Sequence, residues 1–318
     1  SEKNMGPENC AGNPINLGLA NKYQREVDYR GTGGSPLEFS RHYNSLSLGD
    51  SSYTSFRLMG KQWRNSYERA VVVFESSSLK SAVVTRPDGK AYWFTLNSGN
   101  WIGDADVSDK LMQLVDGSGN TTGWTYTTSE DQVEAYDAEG RLTSITSRAG
   151  IVQVLTYSTS GTPSSIAPVP GLLIQVEDSF GRQLNFTYDA ANRINTMTDP
   201  AGETYTYAYD SSGNIQSVTF PGSTTRTYVY NEQSRTQNQS RPYHLTRIVD
   251  ENGADFALFS YDSYGRAIGT THAGGADSTT VTYTFNGSAN VTAAAVTDAA
   301  GTPRTYAFSH SVGVVRNT

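Results

Sequence analysis

The sequence predicts an all-β fold, a long antiparallel meander of β-hairpins. Composition, an aromatic repeat and regularly spaced turn signals carry that prediction. The 318 residues include 20 Tyr and 30 Gly, with 17% charged residues and 1 Cys. Tyr and Thr favour strands, and Gly, Asn and Asp favour the turns between them. A helical protein would draw more heavily on Ala, Leu, Glu and Lys in periodic runs. The length allows one large or two ordinary domains.

The repeat is an aromatic residue followed by Asp, Asn or Ser. It recurs at Tyr136, Tyr157, Tyr188, Tyr209, Tyr230, Tyr261, Phe285 and Phe308, with spacings of 21, 31, 21, 21, 31, 24 and 23 residues. Each 31-residue step is a 21-residue unit carrying an insertion, Ser160 to Pro170 in one case and Glu232 to Pro242 in the other. A four-residue turn follows the aromatic, as in Asp137 to Gly140, Asp210 to Gly213 and Asp262 to Gly265. The leading Asp can bond the backbone two residues on, and Gly at the fourth place takes the left-handed conformation of a bulged hairpin. Positive φ is therefore expected at Gly140, Gly213 and Gly265.

A second turn of the same type sits halfway along each unit, as in Asp199 to Gly202. The turn starts Asp189, Asp199 and Asp210 lie 10 and 11 residues apart, room for one strand of about six residues plus a turn. Each 21-residue unit is thus one hairpin. Within Thr204 to Tyr209, the Tyr residues alternate with Thr and Ala, the pattern of a strand buried on one face. Such strands in register predict aromatic ladders across neighbours. Packing is the plain role for these tyrosines, and a carbohydrate-stacking surface is the alternative.

These motifs resemble the tyrosine–aspartate (YD/Rhs) repeat family. Tyr136 to Ile145 (YDAEGRLTSI), Tyr188 to Ile194 (YDAANRI) and Tyr209 to Ile215 (YDSSGNI) carry the resemblance. Upstream, Gly12 to Asn16, Asn21 to Gln24 and Leu37 to Ser45 are similar to the opening region of bacterial Rhs proteins. The chain divides accordingly into an opening segment, residues 1–85, and a repeat strip, residues 86–318. Residues 1–20 read as an extended arm. Leu37 to Tyr43 and Ala70 to Phe74 are strand candidates, with Trp63 and Tyr67 as core aromatics. Ala91 to Thr95 and Gly123 to Thr127 are further strands, and Gly103 to Leu114 is a short helix or a loop. The resemblance implies that the opening segment joins the same sheet as the strip.

Chemistry is sparse. The net charge of −7 comes without a basic run, which argues against a nucleic-acid partner. Apolar runs such as Ala70 to Phe74 are far short of a membrane span. His42, His244, His272 and His310 lack metal-ligand spacing, and no nucleophile-elbow motif occurs. Gly31 to Gly34 reads as a hairpin connection, because the Lys-Ser/Thr of a phosphate loop is missing. The Asp residues sit at turn starts, where a structural hydrogen bond explains them. No catalytic, cofactor-binding or metal site is expected. The lone Cys10 is an inert thiol, a partner for another chain, or half of a pair whose mate lies elsewhere.

The resemblance implies a strip that spirals into a shell enclosing or presenting a secreted toxin, with further repeats of a longer chain or the toxin as partners. A self-assembling extracellular fibre subunit or a glycan-binding surface adhesin is the alternative, and a secreted or cell-surface location fits either. Open strand edges recruit other chains. The expectation is that the residue 1–20 arm of one copy docks at the C-terminal edge of the next.

Overall fold

A computed structural model describes residues 3–47, 58–77, 79–311 and 314–318. Among them there is no α-helix, only short 3-10 turns at Gln233–Arg235 and Ala273–Gly275. Eighteen strands, from Lys110–Val115 to Val314–Asn317, pair in sequence order, each antiparallel to the next. The predicted meander is therefore the observed one. It does not close into a barrel.

The opening segment does not join this sheet, contrary to the expectation. It forms a five-stranded sheet, Cys10–Ala11 to Trp63–Asn65, and a four-stranded one, Ala70–Glu75 to Asn100–Gly103. Residue 86 falls in the turn joining Lys80–Thr85 to Ala91–Asn97, inside the smaller sheet. Gly103 to Leu114 contains no helix: Asn100–Gly103 ends a strand, a turn follows, and Lys110–Val115 begins the long sheet.

Alternation decides which face is buried. Along Thr204–Tyr209 the tyrosines at 205 and 207 are buried, while Thr204, Thr206 and Ala208 are exposed. The expected aromatic ladders do not form. Phe186 faces Met197, which faces Tyr205; Tyr207 faces Val218, and Tyr228 faces Ile248. Each hairpin contributes one aromatic and one aliphatic strand, so rings meet aliphatic side chains within the sheet.

Tyr205 and Phe220 meet within the strip at 6.0 Å, but the largest buried rings find aromatic partners across the core. Phe39 lies 5.3 Å from Phe186 and 6.1 Å from Tyr207 between ring centroids, and Trp63 lies 5.5 Å from Tyr228. Laid flat, eighteen strands at normal spacing would span about 80 Å. The opening segment nevertheless reaches most of that length. Ala20 accepts a bond from Ala267, Tyr43 from Leu245, and Gly213 from Lys61, while Val71 donates to Gly140. The strip must therefore curve around the opening segment. Its contacts run backward along the strip from Glu26 to Pro36, which reach Arg226 and Gln153, and forward again to Tyr43, which meets Leu245.

Residues 1–20 are not a free arm, as far as they are described. Ile15, Leu17, Leu19 and Ala20 are buried, and Gly18 packs on Val315 and Phe308. Asn4 also covers the C-terminal edge, its amide donating to the Val315 carbonyl at 3.1 Å and accepting from the Val315 N–H at 3.4 Å. At Val315 the edge expected to receive another copy's arm is met within the same chain, because these apolar side chains gain more by entering the core than by staying in water.

Candidate functional site

The repeat turns are built as the sequence predicts. Gly140, Gly202, Gly213 and Gly265 have φ of 81°, 82°, 84° and 85°. The Asp210 carboxylate accepts from the N–H groups of Ser212 and Asn214, both at 2.9 Å; Asp199 does the same with Ala201 and Glu203, and Asp262 with Tyr264 and Arg266. At Asp137 the fourth-residue contact is Arg141 N–H at 2.8 Å. Asp178 is half of a similar turn. Burial works against its charge, yet the Phe180 N–H and the Arg182 side chain hold its carboxyl below the usual range. These aspartates are committed to turns and are not paired for acid–base work.

The sequence did not reveal how the repeat aromatics work. The ladder between Ile194–Thr198 and Thr204–Tyr209 runs only from Thr196 to Thr198, leaving the Ile194 carbonyl beyond it. The Tyr209 hydroxyl donates to that carbonyl at 2.8 Å. The device recurs along the strip: Tyr157 to Leu142, Tyr188 to Leu173, Tyr230 to Ile215 and Tyr261 to Leu245, at 2.7 to 2.9 Å. Phe285 has no hydroxyl, and Tyr283 on the same face supplies one to the Ala267 carbonyl. Phe308 lacks one too; His310 Nε2 sits 2.7 Å from the Val291 carbonyl, in the corresponding place. Burial pushes the Tyr188, Tyr230 and Tyr261 hydroxyls well up, so they stay protonated donors.

The arginine four residues after the turn Asp completes the unit. Arg141, Arg193 and Arg266 pair with Asp137, Asp189 and Asp262 and lie 4.6, 4.2 and 4.1 Å from the centroids of Tyr157, Tyr209 and Phe285. One turn thus braces the next unit's aromatic. Tyr209→Phe should cost about 0.5–1.5 kcal/mol by stranding the Ile194 carbonyl. Phe285→Tyr should gain nothing, since Tyr283 already fills that role. Urea denaturation of the two variants checks both expectations.

A second feature was invisible in the sequence. In Asn21–Arg30, Val27 is exposed while Lys22, Gln24, Glu26 and Asp28 point inward against the strip. Arg41 forms a bidentate pair with Asp28, at 2.7 and 2.8 Å, with both side chains fully buried. Tyr207 donates to Asp28 at 2.8 Å, and Arg41 donates to the Tyr228 hydroxyl at 2.7 Å. Arg226 reaches Glu26 at 2.7 Å, Gln24 donates to the same carboxylate, and Lys22 donates to Gln24 and lies 4.2 Å from the Phe259 ring centroid. Polar residues at every second position of a strand normally mark its solvent face. Here the opposite holds, because the strip supplies the partners.

A third cluster joins the smaller sheet to the strip. Glu134, fully buried, receives Arg86 at 2.6 and 2.9 Å together with Arg69 and the Tyr136 hydroxyl. Burial opposes its charge, but the two guanidinium groups prevail and hold its pKa at about 2. His42 is enclosed between the Tyr23 hydroxyl at 2.7 Å and the Ser40 hydroxyl at 3.1 Å. Burial, reinforced by Arg25, Arg69 and Arg41, lowers its pKa to about 3; burial and Arg241 bring His244 to about 4, against the pull of the Gly265 carbonyl.

All three groups therefore favour the fold more at high pH. Each histidine is neutral when folded, so its contribution is complete above its unfolded pKa of about 6.5 and fades as pH falls toward its folded value. Glu134 adds to the same trend below about 4.5. Stability should drop between about pH 6.5 and 4 by up to roughly 1.4 kcal/mol per pH unit for each histidine. Denaturant titrations across that window check this. A slope left intact by His42→Gln would show that His42 is not responsible.

Among the described residues no group of His, Cys, Asp or Glu could hold a metal ion, and no helix is long and apolar enough to cross a membrane. Cys10 is free and exposed, and Gly31 to Gly34 joins Asn21–Arg30 to Glu38–Asn44 as a hairpin connection. A groove lined by Leu58, Val71, Trp124, Gly140 and Tyr157 lies along the seam.

Fold and seam together define a class: a repeat-built β-strip of structural, shell-like character, wrapped on its own N-terminal sheets. The family described as Teneurin YD-shell matches residues 168–299, and a domain of unknown function, DUF6531, matches residues 12–94. These matches support a YD/Rhs-repeat protein, the repeat strip over residues 168–299 carrying the likeness. It is similar to a chain of the Photorhabdus luminescens Tc holotoxin pore, with 10% identity and a TM-score of 0.36, covering 91% of this chain and 17% of that one. It is also similar to the TcdB2-TccC3 crystal structure, with 12% identity and a TM-score of 0.34, covering 93% and 20%. Likeness to the N-terminal domain of effector protein SpvB from Salmonella typhimurium has 12% identity and a TM-score of 0.30, covering 87% and 95%. The chain thus spans about a fifth or less of the toxin-complex chains it matches. No curated protein matches it significantly.

Proposed function

We propose that this chain is a non-catalytic end segment of a YD-repeat shell that encloses or presents a secreted toxin. One observation carries the reading: the concave apolar face of the strip is filled by the chain's own opening sheet, through the Arg41–Asp28 and Glu134 clusters. A wall whose hollow is filled here serves as the closed end of a container, and the hollow for cargo would lie beyond it in a longer chain. The Teneurin YD-shell match over residues 168–299 supports the same reading. Toxin-complex proteins among the similar structures make a toxin the natural cargo and secretion the natural route.

The test is the intact mass of the natural protein, followed by protease digestion of it. A chain much longer than 318 residues, with a C-terminal part protected from protease until the strip is unfolded, is expected. A natural product ending near residue 318 would overturn the container and favour the fibre or adhesin.

A further inference from the structure

Three inward-facing side chains of Asn21–Arg30 line up as an amine, a carboxamide and a carboxylate. Alternate residues of a strand share a face, which puts Lys22, Gln24 and Glu26 side by side against the strip. They are 0%, 6% and 6% exposed. The Lys22 amine donates to Gln24 Oε1 at 2.9 Å, and Gln24 Nε2 donates to Glu26 at 2.7 Å. The Tyr23 carbonyl takes a second bond from the same amine. Arg226 and the Tyr228 hydroxyl hold the far oxygen of Glu26, at 2.7 and 3.3 Å, which keeps its other oxygen on the carboxamide.

The parts of an amide exchange are therefore in contact, in a place from which water is excluded. A carbonyl carbon lies about 1.2 Å behind its oxygen, so Lys22 Nζ is no more than about 4.1 Å from Gln24 Cδ. Reaching the ~3–3.5 Å of a near-attack geometry takes a shift of about 1 Å or less. A lysine attacks only as the neutral amine, and desolvation is a common way of unmasking it. Burial pushes the Lys22 pKa well down, against the pull of Glu26 and Cys10. The Phe259 ring, 4.2 Å from Nζ, closes the site on the strip side.

We propose that Lys22 and Gln24 join as a side-chain amide, a lactam that the fold forms on itself, with Glu26 carrying the proton. Nζ attacks Cδ, its lone pair making the new C–N bond while the carbonyl π pair moves onto Oε1. Glu26 takes the proton that Nζ sheds and passes it to Nε2. The carbonyl then re-forms, the Cδ–Nε2 bond breaks with its electron pair staying on nitrogen, and ammonia departs. An amine and a primary amide enter, and a secondary amide and ammonia come out, with no oxidant or other reactant. The product replaces a buried cation by a neutral amide and ties together two side chains of the seam. Glu26 keeps its pairing with Arg226.

The experiment is peptide mass spectrometry of the full chain, incubated folded at mildly alkaline pH, then denatured and digested with trypsin. Trypsin cuts after a free lysine, so the lactam shows as an uncut Lys22–Tyr23 bond in a fragment lighter by one ammonia. Tandem fragmentation places the loss, because succinimide formation at an Asn-Gly pair such as Asn252-Gly253 removes the same mass. Lys22→Arg should show no loss in this fragment. Glu26→Gln should slow lactam formation at least tenfold, with its fold checked by circular dichroism; should that variant not fold, the parent's own fragment still decides. A parent fragment of full mass, cut after Lys22, overturns the proposal. So does a loss mapped elsewhere in the chain, or one that persists in Lys22→Arg. Lactam formation at the parent rate in folded Glu26→Gln overturns the part given to Glu26.

Discussion

Arg41→Met is expected to destabilise the chain by roughly 3–5 kcal/mol, the cost of leaving a buried charge without its partner. The Asp28 carboxylate would keep only the Tyr207 hydroxyl, in a seam where both members of the pair are fully buried. Arg41 also lies 5.1 Å from the Trp63 ring centroid and 5.0 Å from that of Tyr228, so its loss removes packing as well as charge. Replacing both partners, Arg41→Met with Asp28→Leu, should cost less than Arg41→Met alone, because no orphan carboxylate remains. Chemical denaturation of the two variants measures the difference. If Arg41→Met cost under about 1 kcal/mol, the pair would be behaving as an exposed one, and the seam would not be closed.

Gly140→Ala should be nearly as damaging, for a different reason. Its φ of 81° imposes about 1–2 kcal/mol on any L-residue. A methyl group there would also sit 1.8 Å from the Val71 carbonyl oxygen, where backbone and not a flexible side chain blocks it. The turn would have to move away, breaking the Val71 N–H bond to the Gly140 carbonyl that stitches opening segment to strip. Gly150 has nearly the same φ, 80°, and open space where the methyl would go. Gly150→Ala therefore isolates the conformational cost, and the excess seen in Gly140→Ala reports the lost contact. Equal melting temperatures for the two variants would mean that the Val71–Gly140 stitch contributes nothing to stability.

The hairpins are legible because their information is local. An Asp, a left-handed Gly and a six-residue alternating strand specify a turn and a buried face within ten residues, so the inward placement of Tyr205 and Tyr207 follows from the pattern. The same local information does not say what the rings touch. Neighbouring strands alternate aromatic and aliphatic, and the ring partners come from Phe39 and Trp63, more than a hundred residues away. Residues 1–20 read as an arm for the same reason: Ile15 and Leu17 occur without a period, and nothing local says that Val315 and Phe308 will pack on that segment.

By itself the sequence determined the unit, its turns and the order of its strands, since short-range backbone preferences and side-chain periodicity suffice for these. Tertiary structure alone decided that the opening segment forms separate sheets inside the curve of the strip. It also turned Lys22, Glu26 and Asp28 inward while leaving Val27 in water, an inversion of the usual strand pattern. Burial of a charge becomes tolerable only when a partner arrives with fitting geometry, and those partners, Arg226, Tyr207 and Tyr228, sit on strands about two hundred residues further along.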